Sequence, residues 1–318
     1  MRVYLAAPAQ LYQYHTPFQA RRLLISFVKM SWGVEKFQLA LDNAKPTHGY
    51  CVDSGAHVWL SMFFKKQEKP PMAKVEQTIE RFLPMVQQLS GDPQFVVDLD
   101  IQRIYGLPVI DGWRKTIWQP FERASGIRVC YVWHPSDGEA RWEELLADPD
   151  VHYLGMGSSF KMMPVEAWAR LVYRAYQAGK PVHGFAKINA KYLMKVPFYS
   201  VDSTSWASGS FFGTVPHFNA TTGAINQRSV GDKARQNVGA AAVLTRLAVT
   251  AQGKIKADLL QRGAFIGKDY QSFYQNGVDQ YTRFEAWFTA YWKARGVDWD
   301  AQLARHGNLG PPDSLDPR

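Results

Sequence analysis

Short apolar runs of β-forming residues recur along this chain, and one after another they stop at a side chain that can hold or move a proton. Gly49-Tyr50-Cys51-Val52 stops at Asp53, followed by Ser54 and Gly55, and Gln94-Phe95-Val96-Val97 stops at Asp98, with Leu99 and Asp100 behind it. The run from Ile127 to Trp133 stops at His134 before Pro135, and Phe198-Tyr199-Ser200-Val201 stops at Asp202, followed by Ser203-Thr204-Ser205-Trp206. Apolar runs without alternation belong to strands buried on both faces, as in a parallel sheet covered by helices. Between them lie segments of helical spacing. Val75, Ile79, Phe82, Leu83 and Val86 share one face and end at Ser90-Gly91; residues 140–146 form a second helix; Pro164 opens a third, with Val165, Trp168, Leu171 and Val172 inward and Gly179 as its stop. This alternation predicts parallel βα units, and 318 residues suffice for them to close into a (β/α)8 TIM-type barrel. In such a barrel the C-terminal strand ends share one face. A lone strand-end Asp is as readily an N-cap or an Asx turn; repetition is what argues for a site.

Val3 to Ala7 reads as a first strand, Val151-His152-Tyr153-Leu154 as one that opens into Gly155-Met156-Gly157-Ser158, and Pro181-Val182-His183-Gly184-Phe185-Ala186 as another. Residues 19–29, where Arg21 and Arg22 precede an apolar run, read as a helix. The eighth strand is then sought beyond Asp202, at Phe211-Phe212-Gly213-Thr214-Val215. Asp98 and Asp100, two residues apart, fall on one side of a regular pleat. Residues 232–249 read as an Ala-rich helix carrying Lys233 and Arg235, and residues 265–295 carry aromatics at the spacing of a packed helix. The predicted organisation is a barrel domain over residues 1–250 and a helical C-terminal extension, residues 251–318, packed on it; the Pro/Gly/Asp-rich tail from Gly307 frays.

A hydrophobic content of 46% with 20% charged residues is that of a folded domain and excludes extended disorder. The net charge of +9, without a long Lys/Arg run, suits either a polyanionic partner such as nucleic acid or an ordinary basic enzyme. Lys65, Lys66 and Lys69, before Pro70-Pro71, form a basic loop. Cys51 and Cys130 sit inside apolar strands and read as buried small hydrophobes, not as a disulfide or a metal site. No apolar stretch approaches a membrane span and no signal peptide opens the chain, so a cytoplasmic protein without membrane partners is expected. Gly155 and Gly157 do not make a dinucleotide fingerprint and permit close approach of a flat ligand or a tight turn; no cofactor and no metal are predicted.

Carboxylates gathered at one face suit glycosyl transfer, in which one attacks an oxocarbenium-like sugar carbon while another handles the proton of the leaving group. Val52-Asp53-Ser54-Gly55, Asp98-Leu99-Asp100, Leu154-Gly155-Met156-Gly157 and Val201-Asp202-Ser203-Thr204-Ser205-Trp206 follow in order over residues 45–215. In that order they resemble the tRNA-guanine transglycosylases, closest to the phage and bacterial enzymes that place 7-deazaguanines in DNA. The resemblance implies Asp202 as the nucleophile on C1′ of a guanine nucleotide and Asp53 as general acid/base. It implies Asp100, or Asp98, as acceptor for the donor edge of the purine. His134, Ser54, Gly55 and the Gly155-Met156-Gly157 stretch would complete the base site, and Trp206, Arg228, Lys233 and Arg235 would meet nucleic acid. Trp59, Trp206 and Met156 are stacking candidates or core. The implied partners are DNA, alternatively tRNA, and a free base such as preQ0 or preQ1, in a bacterial host if the chain is phage-encoded. The sequence departs from the family in two places: no Cys follows Cys130, so the zinc site of the tRNA enzymes is missing, and no Pro-Thr-Arg follows Asp202. The first departure shifts the expected substrate from tRNA to DNA. A carbohydrate-active barrel hydrolase and a nucleic-acid-binding accessory protein are the competing readings.

Overall fold

In the computed structural model, which describes residues 1–7, 9–12, 17–27, 33–91, 93–157, 160–207, 214–229 and 270–308, eight parallel strands close a barrel in chain order. They are β1 (Arg2–Ala6), β2 (Leu23–Ser26), β3 (Tyr50–Asp53), β4 (Phe95–Val97), β5 (Arg128–Trp133), β6 (Tyr153–Met156), β7 (Val182–Gly184) and β8 (Ser200–Ser203). Closure is made by β8 on β1, with Tyr4 opposite Asp202. The register puts Tyr4, Cys51, Phe95, Cys130, Tyr153, His183, Ser200 and Asp202 on the inner face. Tyr4, Phe95, Tyr153 and His183 fill the middle of the barrel, Phe95 lying 5.3 Å from Tyr4, 4.6 Å from Tyr153 and 5.5 Å from His183 between ring centroids. The TIM-type architecture read from the alternating pattern is therefore the one observed.

Two assignments from the sequence change. The apolar run in residues 19–29 is strand β2, not a helix: Leu23, Leu24 and Ile25 are buried between β1 and β3, and a short apolar run carries no period that separates strand from helix. Arg21 and Arg22 consequently lie just before β2, at the barrel end opposite the strand-terminal carboxylates. The eighth strand is Ser200–Ser203 itself. Among the residues read for that strand, Thr214 and Val215 begin β9 (Thr214–Asn219), which pairs with β10 (Ala224–Ser229) in an antiparallel hairpin separate from the barrel; residues 211–213 lie outside the described residues.

The outer layer comprises α1 (Val34–Ala44), α2 (Ala56–Lys66), α3 (Met72–Gln88), α4 (Gln102–Tyr105), α5 (Leu107–Trp113), a π-helical turn (Arg114–Trp118) leading into α6 (Gln119–Ser125), α7 (Gly138–Ala147), α8 (Val165–Gln177) and α9 (Ala190–Leu193). The spacing read for α3 and α8 is the buried face of each: Val75, Ile79, Phe82 and Val86 in one, Trp168, Leu171 and Val172 in the other. After β8 and the hairpin come α10 (Tyr270–Lys293) and α11 (Trp299–Arg305). Helix α10 runs along β1 in the place of the last barrel helix. Its Gly277 lies against the Trp206 carbonyl, where a Cβ would come within 2.3 Å, and its Thr289 bonds Met1 at the other barrel end. Buried Glu285 binds it there, taking the Val3 amide at 2.7 Å and the Arg22 guanidinium at 2.8 Å. The expected domain boundary at residue 250 and the helix over 232–249 lie outside the described residues.

Candidate active site

The C-terminal ends of β3, β4, β5 and β8 bring Asp53, Asp100, His134 and Asp202 to one mouth, with His183 of β7 buried beneath Asp202. Just beneath them on the inner face lie the free, buried thiols of Cys51 and Cys130. Burial pushes both thiols up; Asp202 and Asp53 add to the effect on Cys51, and Asp98, Asp100 and Asp53 to that on Cys130. These carboxylates thus share one low-dielectric space.

Asp53 ends β3 opposite Ser26, the last residue of β2. One carboxylate oxygen, Oδ2, accepts from Ser26 Oγ at 2.8 Å, and Oδ1 accepts from the Gly55 amide at 3.0 Å. Gly55 stands at φ 77° between the strand and α2, a left-handed position that glycine takes without strain. Burial raises the Asp53 pKa from its ordinary value, against the two hydrogen bonds, and nearby Asp100 adds to the rise. A raised pKa suits a carboxyl that has to give and take a proton. Ser54 is buried and donates to the Asp98 carbonyl at 2.7 Å, tying β3 to β4.

Asp98 and Asp100 do not share a face. The pleat ends at Val97, and a turn follows in which the Ile101 amide bonds the Leu99 carbonyl. Asp98 is buried and accepts from the Val132 amide at 3.1 Å, a bond that fastens β4 to β5. Asp100 is the one that reaches the mouth, where Oδ2 meets His134 Nε2 at 2.8 Å. The His134 side chain also accepts from the Asp137 backbone, and the Asp137 carboxylate takes the His134 amide at 2.9 Å. With the ring held from both sides, His134 acts on Asp100; the other Asp100 oxygen, Oδ1, has no partner among the described residues. Burial works against a charged ring, but the bond and charge of Asp100, with Asp137, outweigh it and raise the His134 pKa.

Gly155 in β6 and Gly157 just after it make room for side chains around the mouth. A Cβ on Gly157 would fall 2.3 Å from His134 Cε1, and one on Gly155 would fall 2.7 Å from Phe185 Cε2. The close approach read from the sequence is thus made by the protein's own rings. The Gly157 amide bonds the Trp133 carbonyl at 3.0 Å, and Met156 is fully buried.

Asp202 lies on the inner face of β8. Its Oδ1 accepts from the Ala186 amide at 2.7 Å and faces His183 Nε2 at 3.3 Å, whereas Oδ2 has no partner among the described residues. Ala186 holds its amide there at φ 54°, an uncommon conformation for a residue with a Cβ. His183, wholly buried, turns its other nitrogen, Nδ1, to Ser200 Oγ at 2.7 Å, and Ser200 Oγ meets Tyr153 Oη at 2.6 Å. Phe185 lies edge-on over His183, with ring centroids 4.5 Å apart. Buried Lys187 donates to the Phe185 carbonyl at 3.1 Å and lies over the Trp168 ring; burial brings its pKa down to about 8 against the pull of Asp202.

Trp59 and Trp206 are buried core, Trp206 donating to the Ala6 carbonyl at 2.9 Å. Arg228 is in β10, its side chain outside the description, and Lys233 and Arg235 lie outside the described residues. Sequence reasoning passed over Ser26, Tyr153, Phe185, Ala186, Lys187 and Ser200. Ser200 had a usable signal, because it precedes Asp202 by two in a strand and so shares its face; the others depend on which strands become neighbours. Comparison with protein-family models, with curated proteins and with solved structures yields no match. No helix among the described residues is long and apolar enough to cross a membrane.

Proposed function

We propose that this protein is a transglycosylase that exchanges guanine in DNA for a 7-deazaguanine base, acting in the cytoplasm, that of a bacterial host if it is phage-encoded. The observation that carries the reading is a pair of half-anchored carboxylates at one mouth. Asp202 is tied through Oδ1 and Asp100 through Oδ2, each leaving one oxygen without a partner among the described residues, while Asp53 beside them is held toward its protonated form. Asp202 Oδ2 attacks C1′ as the C1′–N9 bond breaks, and Asp53 gives its proton to the departing guanine. Asp53 then takes the N9 proton of the incoming base, whose N9 attacks C1′ and expels Asp202. Asp100 Oδ1 accepts hydrogen bonds from the donor edge of the purine and disfavours bases that lack those donors. The formal charge of +9 supports a polyanionic substrate, and the target nucleotide must leave the stack to reach the mouth.

The test is incorporation of labelled preQ0 or preQ1 into DNA and, in parallel, into tRNA. Label in DNA, lost in Asp202→Asn and Asp202→Ala variants that stay folded, is the expected result. Label in tRNA alone would move the substrate assignment, and label in neither would end the proposal.

A further inference from the structure

Beneath Asp202 the barrel interior holds a hydrogen-bonded chain that the exchange mechanism does not use: Tyr153 Oη to Ser200 Oγ at 2.6 Å, Ser200 Oγ to His183 Nδ1 at 2.7 Å, and His183 Nε2 to Asp202 Oδ1 at 3.3 Å. Three strands supply it, β6, β7 and β8, and it runs from the middle of the barrel to its mouth. A polar chain at this depth is unusual, because buried polar groups are costly unless each has a partner.

The protons in the chain can be counted. A carboxylate only accepts, so with Asp202 ionised His183 Nε2 carries the hydrogen. Nδ1 of a neutral ring then accepts, and the only group facing it in the chain is the Ser200 hydroxyl. Ser200 spends its hydrogen on Nδ1 and accepts from Tyr153, whose phenol burial keeps protonated by raising its pKa well above the usual value. Every group is satisfied, in one direction only. A doubly protonated ring would send its second hydrogen to Ser200, turn the serine hydroxyl onto Tyr153 and leave the phenol hydrogen unpaired. The ring cannot swing out of this arrangement, being wedged among Tyr4 at 5.8 Å, Phe95 at 5.5 Å and Phe185 at 4.5 Å between centroids. The titratable groups facing it are Tyr4 from β1, Tyr153 from β6 and Asp202 from β8, with Lys187 beside Asp202 from the loop after β7.

We infer that His183 is a positioning residue for Asp202: fixed as the Nε2–H tautomer by Ser200 and Tyr153, it pins Oδ1 together with the Ala186 amide, so that Oδ2 alone is presented for attack. The same two donors stay on Oδ1 while Asp202 is esterified, and stabilise the charge that returns to it when the incoming base expels the carboxylate. This inference rests on the nucleophile role proposed above for Asp202. The geometric half of it stands independently.

The experiment has two arms on the full-length protein. Long-range proton–nitrogen spectra of histidine-labelled protein, with His183 assigned by its loss in His183→Gln, read the tautomer. The expected result is an Nε2–H ring, a tautomer that is no longer fixed in Ser200→Ala. In the kinetic arm Ser200→Ala lowers kcat for base exchange about 10- to 100-fold with KM for the free base unchanged, because the base is held on the Asp100 side. Tyr153→Phe has the smaller effect of the two. His183→Gln, which keeps a donor and an acceptor, retains more activity than His183→Leu, and thermal melts of both variants separate this from loss of fold. An Nδ1–H or doubly protonated ring in the wild type would overturn the inference, as would a wild-type kcat in a folded His183→Leu. A wild-type protein with the expected tautomer but no exchange on any nucleic acid would instead sink the transglycosylase reading and leave the tautomer assignment standing.

Discussion

Replacing Gly157 by Ala tests whether this glycine exists for the protein's own side chains or for a ligand. The new Cβ would lie 2.3 Å from His134 Cε1, 2.6 Å from Nδ1 and 3.1 Å from Nε2. Carbon contacts settle near about 3.5 Å, so the ring must retreat by about 1 Å. Nε2 then leaves Asp100 Oδ2, now at 2.8 Å, and the bond is lost. Gly157 does not occupy the left-handed region, so no backbone strain enters and the cost is that of the displaced ring. Overpacking costs about 1–3 kcal/mol and a hydrogen bond to a charged group about 1.5–3 kcal/mol; alanine recovers about 0.4–1 kcal/mol through the unfolded chain. A net loss of about 3 kcal/mol is expected in urea denaturation followed by circular dichroism. On a His134→Ala background the same change has nothing to displace and should be neutral or slightly stabilising. The assay is therefore a double-mutant cycle, and its coupling energy should be about 3 kcal/mol. Equal cost in both backgrounds, or no cost in either, would refute the argument that Gly157 makes room for His134.

The outer layer and the β7 loop give further tests. Burial pushes the Glu122 carboxyl up to about 7 from its ordinary 4.5, against its bonds to Arg128 and the Val129 amide. The folded chain then holds a proton that the unfolded chain releases, so stability falls as pH rises from about 4.5 to about 7, by about 3 kcal/mol, and is level above. The difference between wild type and Glu122→Gln, followed by urea denaturation across that range, should carry this slope; a pH-independent difference would contradict it. At Ala186, φ 54° costs about 1–2 kcal/mol for a residue with a Cβ, against about 0.5–1 kcal/mol for the extra chain freedom of glycine. Ala186→Gly should therefore stabilise by about 0.5–1 kcal/mol and keep activity. Ala186→Pro, which lacks the N–H that Asp202 accepts and cannot take φ 54°, should lose about 100-fold or more in kcat. Arg22→Met, which leaves Glu285 with Arg21 at 3.1 Å and the Val3 amide, should cost about 1.5–3 kcal/mol in the same denaturation assay; a loss below about 1 kcal/mol would show that α10 is held without it.

The strand-end carboxylates and the (β/α)8 architecture were legible because both are written in local pattern: a continuous apolar run marks a strand buried on two faces, and its first polar residue marks where it leaves the core. Ser200 and Asp202 were open to the same logic through their spacing. Strand β2 was not, since Leu23, Leu24 and Ile25 are too few to show a period. That one misreading moved the eighth strand from Ser200–Ser203 to residues beyond it. The separation of Asp98 from Asp100 was equally hidden, because it depends on the pleat ending at Val97, where the β5 backbone offers the Val132 amide.

By itself, then, the sequence determined the barrel and its ring of Asp and His residues, because hydrophobic periodicity and strand termination act within a few residues of one another. Only the tertiary structure decided what each of those residues does. Asp98 became a fastening between strands, His134 the holder of Asp100, His183 the holder of Asp202, and Gly155 and Gly157 the space for two rings. Those roles depend on distances between segments far apart in the chain, set by barrel closure and side-chain packing.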